Sequence, residues 1–216
     1  MLAHEYETIC NNIYLTTKLK HIDEVNKCFC KRSRNSSVGC EKNCINRLLN
    51  IECGDDCAFR SLCANKSFQK CQYQSIKVIP VMFKRFGLAA DGNIPKDAFI
   101  IEYVGEVIDK TQLQSRQAEY LELEFSYLMQ LDSMHVIDAT KKGNISRFIN
   151  HRCDPNACAE KWIVNGKQRI GIFSCQPIKQ GEEITIDYGD DGMFEQCFCG
   201  ALNCRGWNGV ALKNED

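Results

Sequence analysis

Neither sign of charge dominates this chain: 27 Lys and Arg stand against 28 Asp and Glu, a formal net charge of -1 over 216 residues. The electrostatic footprint of a dedicated nucleic-acid binder is therefore missing from the chain as a whole. No apolar run approaches the roughly 18 residues that a membrane-spanning helix needs, so no membrane partner is expected. Met1 to Asn12 carries His4, Glu5 and Glu7 and lacks the apolar core of a signal peptide, so secretion has no visible address. Prolines number only four, and there is no repeat period and no low-complexity segment. Cysteine, by contrast, is in excess, with fifteen. At that density thiols mean disulfides in an oxidising compartment or metal thiolates in a reducing one. With no secretion signal, metal binding is the leading account, and the cytosol or nucleus the expected compartment. The 44% hydrophobic content suffices to bury a core, in one large domain or a domain with a small appendage.

Cysteine spacing divides the chain. Cys28-x-Cys30, Cys40-x3-Cys44 and Cys53-x3-Cys57, then Cys63 and Cys71, put eight thiols between residues 28 and 71, and none follows until Cys153. Two separate tetrahedral zinc sites need eight thiolates and two sites sharing a bridging thiolate need seven; both counts are available. Ile45 to Glu52, between two of these pairs, is expected to make about two helical turns at 3.6 residues per turn. Cys10, Cys158 and Cys175 lack paired neighbours and read as buried small hydrophobes. Near the end, Cys197-x-Cys199-x4-Cys204 supplies three thiols of a site that normally takes four. The best candidate for the fourth is Cys153, in the run Arg147-Phe148-Ile149-Asn150-His151-Arg152-Cys153-Asp154-Pro155-Asn156. That pairing would clamp an internal loop to the tail.

The cysteine-free middle reads as short strands: Ser75 to Phe83, Phe99 to Ile108, Tyr127 to Leu131 and His135 to Ile137, rich in Val, Ile, Tyr and Phe. Thr111 to Glu124 is the one substantial helix candidate, with Leu113, Tyr120 and Leu121 on one side. Trp162 to Val164 and Gln168 to Phe173 flank Asn165-Gly166, a strong hairpin signal. Lys179 to Glu182 is a turn before a strand from Glu183 to Tyr188. The fold class expected is mainly β with short helices. A basic cluster of Lys18, Lys20, Lys27, Lys31, Arg32 and Arg34 could touch DNA phosphate locally, although a solvated loop explains it as well.

The run Arg147 to Asn156 resembles the Asn-His-Ser-Cys-x-Pro-Asn motif of SET-domain lysine methyltransferases, and Glu183-Ile184-Thr185-Ile186-Asp187-Tyr188 resembles their second motif, which ends in the catalytic tyrosine. Cys197 to Gly206 is similar to a post-SET zinc segment, and Phe99 to Ile108 to an early SET strand. Cys28 to Cys63 resembles the AWS module that precedes SET in the branch acting on lysine 36 of histone H3. The order of these segments carries more information than any one of them. The resemblance implies a β-rich SET fold with a pseudoknot between the Asn-His and tyrosine segments. Its boundaries would be an extension at 1–22, AWS at 23–72, SET at 73–190 and post-SET at 191–216.

It further implies S-adenosylmethionine as methyl donor, held by Arg85, Phe86, Gly87, Ser126, Tyr127, Asn150, His151 and Phe198. Tyr188 and Tyr127 would line the lysine channel as catalytic residues. Two zinc ions would be held by Cys28, Cys30, Cys40, Cys44, Cys53, Cys57 and Cys63, with Cys71 surplus, and a third by Cys153, Cys197, Cys199 and Cys204. The implied partner is the histone H3 tail in a nucleosome, the setting the nucleus and chromosome, and the state monomeric. Three positions depart from the family pattern. Arg85 stands where the first glycine of Gly-x-Gly is usual, Arg152 replaces a serine, and the segment after Tyr188 is short. Arg85 motivates an alternative, a zinc-stabilised SET fold that binds chromatin without turnover.

Overall fold

The computed structural model describes residues 6–15, 27–31, 38–82, 84–120, 123, 126–189, 197 and 199–206. Its elements run β1 (Glu7–Thr8), β2 (Ile13–Tyr14), α1 (Ile45–Leu48), a 3-10 turn (Arg60–Leu62), β3 (Ile76–Val81), β4 (Arg85–Ala90), β5 (Phe99–Tyr103), β6 (Glu106–Asp109) and α2 (Lys110–Tyr120). After these come β7 (Leu128–Gln130), β8 (His135–Asp138), β9 (Lys142–Gly143), a 3-10 turn (Ile145–Phe148), β10 (Asn150–His151), β11 (Ala157–Val164), β12 (Lys167–Ser174) and β13 (Glu183–Ile186). The mainly β class expected from sequence holds.

The chain forms two compact units. The first comprises Met1–Tyr73, Ile101–Arg147 and Glu160–Gly171; the second Gln74–Ile100, Phe148–Ala159 and Ile172–Asp216. In the first, β2-β6-β8-β7 form one sheet, with β2 parallel to β6 and the other pairs antiparallel, and β1 pairs with β9. Tyr103, Val107, Leu131, Ile137, Ala139 and Ile170 form its apolar cluster, with Tyr14, Tyr127 and Met129 packed on it. In the second unit the sheet order is β10-β13-β4-β3. A third sheet has the order β11-β12-β5. Asn165 and Gly166 both take positive φ, 49° and 73°, the pairing a tight two-residue hairpin turn demands.

Several expected elements change at their edges. The single strand expected from Phe99 to Ile108 breaks into β5 and β6 at Val104-Gly105, where a Cβ on Gly105 would lie 2.5 Å from the carbonyl oxygen of Asp138. The helix expected through Ile45 to Glu52 makes one turn and stops, with Asn50 at φ 54°. Helix α2 starts at Lys110, where Asp109 caps the amide of Gln112 at 2.9 Å, and is described as far as Tyr120. Of the three residues expected on one side of it, Leu121 lies outside the described residues. Cys10 and Cys175 are exposed, which corrects their reading as buried hydrophobes. Strands β1 and β2 were not foreseen.

Charged groups inside the first unit come in partnered sets. Arg116 on α2 reaches Glu106 Oε2 (2.7 Å) and Asp138 Oδ2 (2.6 Å), and Tyr120 donates its hydroxyl to the same Asp138 oxygen. Glu102, fully buried in the otherwise apolar β5, receives both Nε and Nη2 of Arg169. Burial pushes the Glu102 carboxyl up and the Arg169 guanidinium pulls it back. Arg169→Met should therefore leave a buried carboxylate without its counter-charge and cost about 3–5 kcal/mol in urea unfolding at neutral pH. Without Arg169 the folded-state pKa of Glu102 lies further above its unfolded value. The deficit should shrink as pH falls, because the neutral acid is then the form buried.

Candidate active site and metal centres

The second unit assembles most of the candidate site. The two-residue strand β10 pairs in parallel with β13, Asn150 opposite Thr185 and His151 opposite Ile186. β13 pairs antiparallel with β4, setting Glu183 against Ala89. The Asn150 amide donates from Nδ2 to the Phe86 carbonyl (2.9 Å) and to Glu183 Oε1 (2.8 Å). Two acceptors on one side fix which way the amide points, leaving Oδ1 to accept from a ligand. Gly87 makes the approach feasible: a Cβ there would meet Glu183 Oε1 and Val81 Cγ2 at 2.7 Å and Asn150 Nδ2 at 2.9 Å. Arg85 takes φ 61°, so its backbone follows a left-handed path that glycine adopts without penalty.

Two residues to which the sequence reading gave no role do much of the joining. Glu183 orients Asn150, as above. Asn156 donates to the Glu183 carbonyl (2.8 Å) and Glu182 Oε1 (3.1 Å) and accepts from the Thr185 amide (2.9 Å), pinning β13. The Pro155-Asn156 end of the Asn-His motif held this signal, since an asparagine amide can pair with a C=O and an N–H on one edge of a strand at once.

Tyr188 lies just beyond β13 and is 40% exposed. Its hydroxyl donates to the Ile149 carbonyl, and its amide donates to His151 Nδ1 at 3.2 Å. Because Nδ1 accepts, the ring proton belongs on Nε2, which lies 3.3 Å from Cys153 Sγ. Burial lowers the His151 pKa, with Arg205 and Lys84 adding to the effect and Asp187 opposing it, so the neutral ring is favoured. Asp187 Oδ1 is 3.6 Å from Nδ1, beyond hydrogen-bond reach, and it engages Arg205 Nη2 and the Gly189 amide instead. The His151 carbonyl accepts from Lys84 Nζ at 3.0 Å.

Cys153, Cys197, Cys199 and Cys204 place their sulfurs within 4.8 Å of one another. Amides of Arg205 and Gly206 donate to the sulfurs of Cys153 and Cys204, both at 3.4 Å, as thiolate ligands require of their surroundings. Burial pushes the Cys197 thiol up to about 12; against burial, the Cys153 and Ala201 amides pull Cys199 down to about 6. Arg152, where a serine was usual, reaches the Cys199 carbonyl at 3.3 Å and ties loop to tail a second time. Four soft sulfur donors at this separation fit a structural zinc ion.

In the first unit, Cys28, Cys40, Cys53 and Cys57 form one such group and Cys28, Cys30, Cys40 and Cys44 another, so Cys28 and Cys40 are common to both. Cys63 is buried in the same cluster. Asn65 and Asn46 direct side-chain amides at Cys53 Sγ, at 3.4 and 3.7 Å. Cys71 is exposed, in keeping with a surplus thiol. Tyr127 and Ser126 also belong to this unit. The Tyr127 ring lies 3.8 Å from the Arg147 guanidinium carbon, which stacks on Tyr6 at 4.2 Å as well; Ser126 is exposed. Phe198, expected over the donor, and the shortened segment 190–196 lie outside the described residues.

A family model for the SET domain matches residues 85–189, and one for the AWS domain matches residues 35–71. The chain belongs to the SET-domain family. The SET match takes in Arg85, Asn150, His151 and Tyr188; Cys28 and Cys30 precede the AWS match. Among curated relatives, the histone-lysine N-methyltransferase Set2 of Drosophila melanogaster is 49% identical over 80% of this chain and 8% of its own length. The histone-lysine N-methyltransferase ASHH2 of Arabidopsis thaliana is 41% identical over 98% of this chain and 12% of its own. An H3 lysine-36 specific enzyme of Debaryomyces hansenii is 42% identical over 82% of this chain and 25% of its own. The chain thus spans a quarter or less of the relatives compared. SET methyltransferases use S-adenosylmethionine. Gly87→Ala should displace Glu183 and Asn150 and weaken S-adenosylmethionine binding roughly tenfold or more by calorimetry, about 1.4 kcal/mol.

Proposed function

We propose that this chain is the catalytic segment of a nuclear, chromatin-acting enzyme that methylates histone H3 on lysine 36 within nucleosomes. The observation that carries the reading is the parallel pairing of β10 with β13, which sets Asn150 beside the β4 backbone and hands the Tyr188 amide to His151. The fungal relatives named as H3 lysine-36 specific, 41 to 43% identical, supply the target.

S-adenosylmethionine, when bound, supplies a sulfonium methyl group open to attack by an amine. Only the neutral amine attacks, and a lysine of pKa about 10.4 must give up its proton at a cost of roughly 4 to 5 kcal/mol near pH 7. A dry channel beside a cation lowers that cost, because desolvation and like charge both depress a lysine pKa. Asn150 Oδ1 would accept from the donor's ammonium group. Tyr188 donates its own proton to the Ile149 carbonyl, so toward an incoming amine its oxygen would act as acceptor and orient it. The roles of Tyr127 and Ser126 rest on the family resemblance alone. Three structural zinc ions, two in the AWS cluster and one at the tail clamp, fit the eleven thiols described above.

Methyl transfer from labelled S-adenosylmethionine to recombinant nucleosomes tests the assignment. Label should enter H3 and vanish when its lysine 36 is changed to alanine; label retained on the altered nucleosome would defeat the position. Tyr188→Phe should lower kcat by about 10²- to 10³-fold, the usual cost of one positioned donor or acceptor at the reacting centre. Atomic emission should count three zincs per chain, and a count of two would remove the clamp ion.

A further inference from the structure

We propose that His151 is a positioning residue that couples the thiolate clamp to Tyr188, so that zinc at the clamp sets where the tyrosine sits. This rests on the reading of Tyr188 as the catalytic tyrosine, but the coupling itself is geometric. The imidazole spans two groups: Nδ1 accepts the Tyr188 amide at 3.2 Å, and Nε2 faces Cys153 Sγ at 3.3 Å. An amide can only donate, so the tautomer is fixed with its proton toward the sulfur. A metal-bound thiolate is a better acceptor for that proton than a thiol, and such a contact orients the ring. The ring centroid lies 5.5 Å from that of Tyr188, so a rotated imidazole would disturb the phenol as well. On the far side of the same turn, Arg205 holds Asp187 while its own amide donates to Cys153 Sγ, giving the clamp a second grip on the tyrosine's neighbour.

Two substitutions separate the halves of the bridge. The side-chain amide of Asn can stand where Nδ1 stands, whereas that of Gln reaches the position of Nε2. His151→Asn should keep the Tyr188 amide protected from hydrogen exchange, read by NMR, but release clamp zinc to a chelator at least tenfold faster. His151→Gln should retain zinc yet expose the Tyr188 amide to exchange at least tenfold faster and lower kcat by a similar factor. Cys197→Ser, which removes a thiol of the clamp other than the one that Nε2 faces, should drop the zinc count by one and speed Tyr188 amide exchange likewise. Unchanged Tyr188 exchange in both Cys197→Ser and His151→Gln would overturn the coupling, as would equal zinc release from the two His151 variants. Zinc release and amide exchange need no turnover, so a wild-type chain that fails to methylate would sink the proposed function and leave this test intact.

Discussion

Crowded sulfur is the constraint on which the rest of the structure depends. Two thiolates about 4 Å apart repel by roughly 4 kcal/mol at an effective dielectric near 20, and each cluster brings several such pairs together. As thiolates they would need a cation among them, and the free energy of binding that cation would then be folding free energy, on the order of 10 kcal/mol per structural zinc. The cysteine-rich module needs that contribution. Between residues 38 and 72 its regular structure is one turn of α1 and one 3-10 turn, and its buried cluster is six cysteines and Phe59, with Cys30 at the edge. The tail has a similar dependence, since residues 199–206 contain no helix or strand and are held through Cys199, Cys204 and the contacts of Arg152 and Arg205.

The same electrostatic rule governs the buried charges of the first unit. Glu102 sits in a strand otherwise made of Phe, Ile and Tyr, and Asp138 ends β8 with no exposure at all. Each is tolerated because an arginine from another element meets it: Arg169 from β12 and Arg116 from α2. Glu52 is neutralised differently, by the amides of Phe68 and Gln69 and the Gln69 side chain, which close the cysteine-rich module on itself. Removing any one partner strands a charge rather than losing a single bond, so these positions resist substitution more than the apolar residues around them.

The sequence made legible what is repeated or chemically unusual. Runs rich in Val, Ile, Tyr and Phe located the strands, Asn165-Gly166 located the hairpin, and spacing together with the family resemblance gathered the thiols that the structure gathers. Contacts set by a distant carbonyl escaped it. Nothing local in Phe99 to Ile108 says that the Asp138 carbonyl will lie where a Cβ on residue 105 would stand, at the break between β5 and β6. Strands β1 and β2 are two residues each, too short for any periodicity to register. Glu183 reads as one acidic residue in a Gly-Glu-Glu turn until the pairing of β10 with β13 sets it against Asn150. Arg85 looked like an obstacle by residue type, yet its φ of 61° shows the backbone keeping the glycine path.

One geometric fact explains why Asn150 and His151 are adjacent. Successive side chains of a strand point to opposite faces. On β10 this sends Asn150 toward Phe86 and Glu183, and His151 toward Cys153 and Tyr188. A strand of only two residues therefore serves the β4 and Glu183 side with one side chain and the Cys153 side with the other. Sliding its register against β13 by a single residue would exchange the two faces, aiming the amide at the sulfurs and the imidazole at Glu183. The register is held by the parallel ladder, by the Arg152 amide on the Ile186 carbonyl, and by Asn156 bridging to Glu183 and Thr185. Cys153, two residues beyond His151, then fixes the same register through the tail. On the proposed reading, metal binding and methyl-donor recognition become a single positional constraint on β10, and losing the first should misplace the second.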